Sequence, residues 1–152
     1  MVEKNTKNIE EIWLEHLNAP DCDVDLAYAK KNFFDSSKES VLIKFTDNVI
    51  ERTNELRVMP DELFNIYFGY FIDFIIHNKH DDFFASEIAD CFINLLNEKL
   101  ESKSIKDKSL IEHSHRGVDF LYSNIDFYNK DTDIYGDMKP RLFSLKKVLE
   151  SY

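Results

Sequence analysis

The chain holds little of what hairpins, phosphate cradles and disulfide frameworks are built from. It has 3 Gly, 3 Pro and 2 Cys in 152 residues. So few turn formers argue against an all-β fold. Three Gly leave no room for a phosphate loop or a dinucleotide fingerprint, and no Gly-x-Ser-x-Gly elbow occurs. Cys22 and Cys91 are far apart and lack metal-ligand spacing. Two such thiols without a signal peptide predict a reducing, cytoplasmic setting. Positive charge is also scarce: 19 Lys and Arg face 29 Asp and Glu, a net charge of −10. Duplex DNA and anionic membranes bind clustered cations, so neither is an expected partner, whereas a basic protein is.

Apolar side chains, by contrast, are plentiful. Hydrophobic residues make up 43% of the chain and aromatics 14%, enough for one core in one domain spanning 1–152. The polar residues 1–7 are expected to fray. The longest apolar run, Leu63 to Ile76, alternates in a way that suggests a strand. Its polar residues decide otherwise. Asn65, Gly69, Asp73 and His77 recur every fourth position, which on a helix is one narrow stripe. Pro60 suits a helix start, and Asp61 and Glu62 suit the positive end of its dipole. The spacing predicts a central helix over about 60–77, too short and too interrupted by Asp73 to span a membrane. Gly69 marks a close helix crossing on it.

Six or seven helices are expected in all. Asn8 with Glu11 starts the first, which carries Ile9, Ile12, Trp13, His16 and Leu17 and ends at Ala19-Pro20. Asp25 caps a short helix with Leu26, Ala29 and Phe33. The Ser-x-x-Glu signal in Ser36-Ser37-Lys38-Glu39 opens one continuous helix through Leu42, Phe45, Val49, Ile50, Thr53 and Leu56. After the central helix, Asp81 or Asp82 caps a helix to about Leu100. Its apolar stripe is Phe84, Ile88, Cys91, Phe92, Leu95 and Leu96, and it forms an antiparallel hairpin with the central helix. A long helix runs from Lys108 to Tyr128. Residues 129–138 form an acidic loop, and Pro140 restarts a helix with Leu142, Leu145 and Leu149. The fold class is therefore all-α.

Chemistry-bearing residues are few. His77, His80 and Asp81, with Asp73, could ligate Zn or Fe if the helix continued. The His80-Asp81 pair resembles the centre of HD-type phosphohydrolases. That family also needs an earlier His and a later Asp on separate helices; His16 and Asp119 are the nominees, since His77 is too close. The plainer reading of these residues is a polar helix end and a cap. His113 and His115 lie on opposed faces of their helix and are expected to be solvated rather than to converge. Asp21, Asp23 and Asp25 have the 1-3-5 spacing of a calcium loop, but Leu26 and Asn32 occupy the positions that require Gly and Glu. No catalytic residue, resident metal or cofactor is expected.

What remains is surface. Asp21, Asp23, Asp25, Asp119, Tyr122, Asp126, Asp131, Asp133, Tyr135 and Asp137 place carboxylates beside Tyr rings, the composition of a protein-recognition patch. A small acidic chain without a catalytic motif resembles, in size and charge, the class of bacterial immunity proteins that plug the basic active site of a nuclease toxin. The expected function is thus a non-enzymatic inhibitor of a basic toxin. The alternatives are a nucleic-acid mimic that inhibits a DNA-binding protein, with its carboxylates along one elongated face, and a metal-dependent hydrolase. A homodimer is a further option, because the aromatic excess could serve an interface.

Overall fold

The computed structural model describes residues 8–152, and the fraying expected at 1–7 lies outside them. All regular structure among the described residues is helical: α1 (Ile9–Leu17), α2 (Leu26–Phe33), α3 (Lys38–Asp47), α4 (Val49–Val58), α5 (Asp61–His77), α6 (Ala85–Glu101), α7 (Lys108–Ser123), α8 (Ile125–Tyr128), α9 (Thr132–Tyr135) and α10 (Met138–Glu150). Against the six or seven helices expected, ten are described, through two breaks and one added turn. Asn48 divides the segment read as one helix into α3 and α4; its extended backbone stops α3, and its side chain accepts from Glu51 N to cap α4. Asn124 likewise separates α8 from α7. The single turn α9 sits inside the acidic loop.

α5 is the hub. α1, α3, α4 and α7 pack against it, while α6 takes α4, α8 and α10. Phe64, Phe68, Phe71, Ile72 and Ile75 of α5 are fully buried. Phe71 lies between two layers, stacked on Phe45 of α3 (centroids 4.8 Å apart) and edge-on to Phe92 of α6 (5.9 Å). Each fully buried ring of this kind contributes about 1.5–3 kcal/mol. α5 and α6 run antiparallel, as expected: Phe92 stacks on Phe68, and the Lys99 ammonium lies 4.8 Å over the Phe64 ring. Lys99 also donates to the Arg57 carbonyl (3.0 Å) near the end of α4, tying α4 to α6.

The polar stripe on α5 is the seam with α7 and its preceding loop. Asn65 donates to the Ser104 carbonyl (2.8 Å) and accepts from Lys106 N (2.9 Å). A Cβ at Gly69 would meet His113 Nδ1 at 3.2 Å, so the close crossing expected there is made with α7. Asp73 accepts from Lys38 Nζ (2.6 Å) and from His113 Nε2 (2.8 Å). Gly117 on α7 marks a second close approach, where a Cβ would stand 3.0 Å from Phe92 Cζ.

Several local expectations are corrected. α6 begins at Ala85 with neither Asp81 nor Asp82 as its cap; Asp81 instead accepts from Phe83 N (2.9 Å) in the turn before it. Phe84 therefore precedes the helix and stands exposed instead of joining the apolar stripe. Cys91 is half-buried at the margin of the core. Asp25 makes no side-chain cap on α2; its own N–H donates to Asp23 Oδ1 (2.8 Å). Pro140 sits within α10, whose cap is Asp137, accepting from Lys139 N (3.1 Å). His113 and His115 are each half-buried on a carboxylate, Asp73 and Asp119, and are not freely solvated.

Candidate partner interface

The acidic residues singled out in the sequence belong to different elements. Asp21, Asp23 and Asp25 lie between α1 and α2, where α2 packs on α1, α3 and α4. Asp119 on α7, half-exposed, is engaged within the chain, taking His115 Nδ1 (3.1 Å) and Lys146 Nζ (3.3 Å). Tyr122, half-exposed, lines a groove of about 310 Å³ between α7 and α10 with Val118, Leu142 and Phe143. Asp126, Asp131, Asp133, Tyr135 and Asp137 belong to α8, α9 and their flanks.

This last group is built on a fastened frame. Asn129 closes the loop by donating to the Gly136 carbonyl (2.9 Å) and accepting from Met138 N (2.8 Å). Arg141 reaches from α10 to Asp90 Oδ1 (3.0 Å) and Asn94 Oδ1 (2.6 Å) on α6, and to the Tyr135 carbonyl (3.4 Å). Burial, then the nearby Glu87 and Asp90 carboxylates, raise the Tyr135 phenol above its ordinary value, so it stays neutral.

The turn before α6 joins the same end of the molecule. His80 accepts a hydrogen bond at Nδ1 from Tyr128 Oη (2.8 Å) and donates from Nε2 to the Phe74 carbonyl (2.9 Å). Because a carbonyl only accepts, the proton is assigned to Nε2. Lys130 pairs with Asp82 and lies over the Phe127 ring. Beyond this anchor stand Phe83, 80% exposed, and Phe84, their rings in edge-on contact at 5.0 Å. Ile134 on α9 is 75% exposed. Asp81, Asp126, Asp131 and Asp133 around them form no ion pair with a described residue.

Sequence reasoning missed the exposed Phe83 ring beside Phe84. The signal was the run Asp81-Asp82-Phe83-Phe84. The two carboxylates before the rings mark a helix boundary, where a ring need not enter the apolar stripe.

The metal candidates do not converge. Both His80 nitrogens are occupied, Asp81 is engaged by its own turn, and His77 is exposed. Among the described residues no group of three or more His, Cys, Asp or Glu side chains could hold a metal ion. Burial lowers the His80 pKa, keeping the ring neutral.

The His113–Asp73 pair looks more like catalytic machinery and opens on a groove of about 440 Å³ with His77, Arg116 and Ser123. Burial alone would raise the Asp73 carboxyl. The Lys38 and His113 contacts outweigh it and hold the group below its ordinary value. His113 Nδ1 abuts Gly69, and no hydroxyl or thiol among the described residues hydrogen-bonds to the ring, so no nucleophile–base pair is assembled. Burial pushes the Cys91 thiol up to about 11, which leaves it unreactive. No described helix is long and apolar enough to cross a membrane. No family model matches the chain, and no curated protein or solved structure matches it significantly.

Proposed function

We propose that this protein is a non-enzymatic, cytoplasmic inhibitor that binds a basic protein, in the manner of an immunity protein that neutralises a nuclease toxin. The observation that carries the reading is the end formed by the 81–84 turn and the α8–α9 loop. There exposed Phe83, Phe84 and Ile134 stand among unpaired carboxylates on a chain of net charge −10. A phenyl ring left 80% exposed next to a second exposed ring gains nothing for folding and is suited to a partner's pocket. The carboxylates steer a basic surface to this end, and the rings anchor it once water is expelled. Inhibition then follows from occlusion of the basic active site.

The hydrolase reading draws no support from His80, whose ring nitrogens are both in use. The nucleic-acid mimic needs carboxylates along one face; Asp21, Asp23 and Asp25 belong to the α1–α2 connection and Asp126, Asp131 and Asp133 to α8, α9 and their flank, which lends that reading no support.

The test is affinity capture at low and at high salt from a lysate of the source cells, followed by an activity assay of what is captured. We expect a basic protein that salt releases and whose nuclease or other activity is abolished by a stoichiometric amount of this chain. Capture insensitive to salt, or a captured basic protein whose activity is unaffected, would refute the inhibitor reading.

A further inference from the structure

A cleft of about 660 Å³ opens between the 105–108 connection, one face of α7 and the end of α10. Its floor is aliphatic: Ile105, Ile111 and Leu149 are all buried and turn apolar surface to it, and the Tyr152 ring closes one side. Its rim is cationic. Lys106 and Lys108 stand at the start of α7, and Arg116 stands two turns, about 12 Å, further along it.

These cations, like Lys31, Lys79 and Lys139 elsewhere on the surface, lack a carboxylate partner among the described residues, and what sets them apart is that they share one cleft. Lys38, Arg52, Arg57, Lys130, Arg141 and Lys146 all rest on carboxylates. Lys106, Lys108 and Arg116 form no ion pair with a described residue. Glu112 and Glu150 also line the cleft. Glu112 lies one turn from both Lys108 and Arg116 and is held by neither, and His115 is turned to Asp119. An acidic protein thus leaves three free cations around an apolar floor, in a volume typical of small-molecule sites.

We propose that this cleft binds a small amphiphilic anion, a medium-chain acyl carboxylate, with its head among Lys106, Lys108 and Arg116 and its tail on Ile105, Ile111 and Leu149. The cations supply the charge complement, and the floor supplies the apolar contact that a simple anion would not need. A floor of Ile and Leu suits a flexible alkyl chain. The site lies on α7 and α10, apart from the 81–84 turn, so ligand and protein partner bind independently.

The test is calorimetric titration of the full chain with decanoate below its micelle concentration, with amide NMR shifts to locate the ligand. We expect saturable one-to-one binding and shifts concentrated at 105–116 and 149–152. The exposed triple variant Lys106→Gln/Lys108→Gln/Arg116→Gln should bind about tenfold more weakly or worse, since each exposed charge contact contributes about twofold to fivefold. Decyltrimethylammonium should not bind there. No saturable binding, equal binding of the cationic amphiphile, or an unchanged affinity in the triple variant would overturn the proposal.

Discussion

A single imidazole shows how a residue that looks functional can be structural. His80 bridges two elements, donating to the Phe74 carbonyl of α5 and accepting from Tyr128 of α8, with its ring 4.7 Å from the Phe74 ring. Burial holds its pKa below the ordinary 6.5. The unfolded chain therefore takes up a proton more readily than the folded one. The stabilisation is fully present above about pH 6.5 and is lost as pH falls through the lowered folded value. His80→Gln keeps an amide donor for Phe74 and an acceptor for Tyr128 but removes the titration. At pH 7.5 the variant should be less stable by about 1 kcal/mol, the net contribution of a buried hydrogen bond held in poorer geometry. Between pH 7.5 and 5.5 the deficit should shrink, because only the wild type carries this loss. Urea unfolding at three pH values reads the difference, and parallel pH dependences would rule it out. The pattern His77-x-x-His80-Asp81 reads as ligands in sequence because nothing local reveals that both ring nitrogens of His80 are already satisfied by residues 6 and 48 positions away.

At the scale of elements, periodicity located every long helix but not where the chain bends. Phe45 and Val49 continue an i, i+4 stripe across Asn48, and that continuity hid the break between α3 and α4. The local signal was present: Asn48 and Glu51 repeat the spacing of Asn8 and Glu11, and each Asn side chain accepts from the Glu N–H three positions on. The polar stripe of α5 was visible too. What the sequence could not say is that the stripe faces α7, because that depends on where α7 packs. Gly117 is the counterpart on α7, and here packing and propensity oppose each other. Ala would gain about 1 kcal/mol of helix propensity. Its Cβ would meet Phe92 Cζ at 3.0 Å and Ile72 Cγ2 at 3.3 Å, in a buried layer where overpacking costs about 1–3 kcal/mol. Gly117→Ala should therefore lower stability by about 1 kcal/mol. Gly69→Ala, which meets only the half-buried His113 ring, should cost less. Thermal or urea unfolding of the two variants decides this. A stabilised Gly117→Ala would mean that the α6–α7 contact is looser than described.

For the whole molecule, composition suggests the sign of the proposed partner but not its place of contact. A chain of net charge −10 attracts cations over its whole surface, so the charges of Asp21, Asp119 and Asp131 looked equivalent in sequence. The fold distinguishes them: Asp119 is hydrogen-bonded to His115 and paired with Lys146, whereas Asp131 and Asp133 stand unpaired near Phe83, Phe84 and Ile134. Charges and rings should then act on different rate constants. Long-range attraction raises the rate of encounter, while desolvated aromatic anchors slow escape. With the captured partner in hand, Asp131→Lys/Asp133→Lys should lower the association rate several-fold at low salt and flatten its salt dependence, leaving dissociation nearly unchanged. Phe83→Ala/Phe84→Ala should do the reverse, raising the dissociation rate by about tenfold to a hundredfold, as loss of one anchor worth about 2 kcal/mol in all implies. Both pairs are exposed, so neither change should disturb the core, and unchanged unfolding curves would verify that. Stopped-flow or surface-resonance kinetics separates the two effects. If the charge reversal leaves association unaltered, steering does not run through this end. If the Phe pair leaves dissociation unaltered, the anchor lies elsewhere, and the α7–α10 groove beside Tyr122 and Phe143 becomes the surface to vary next.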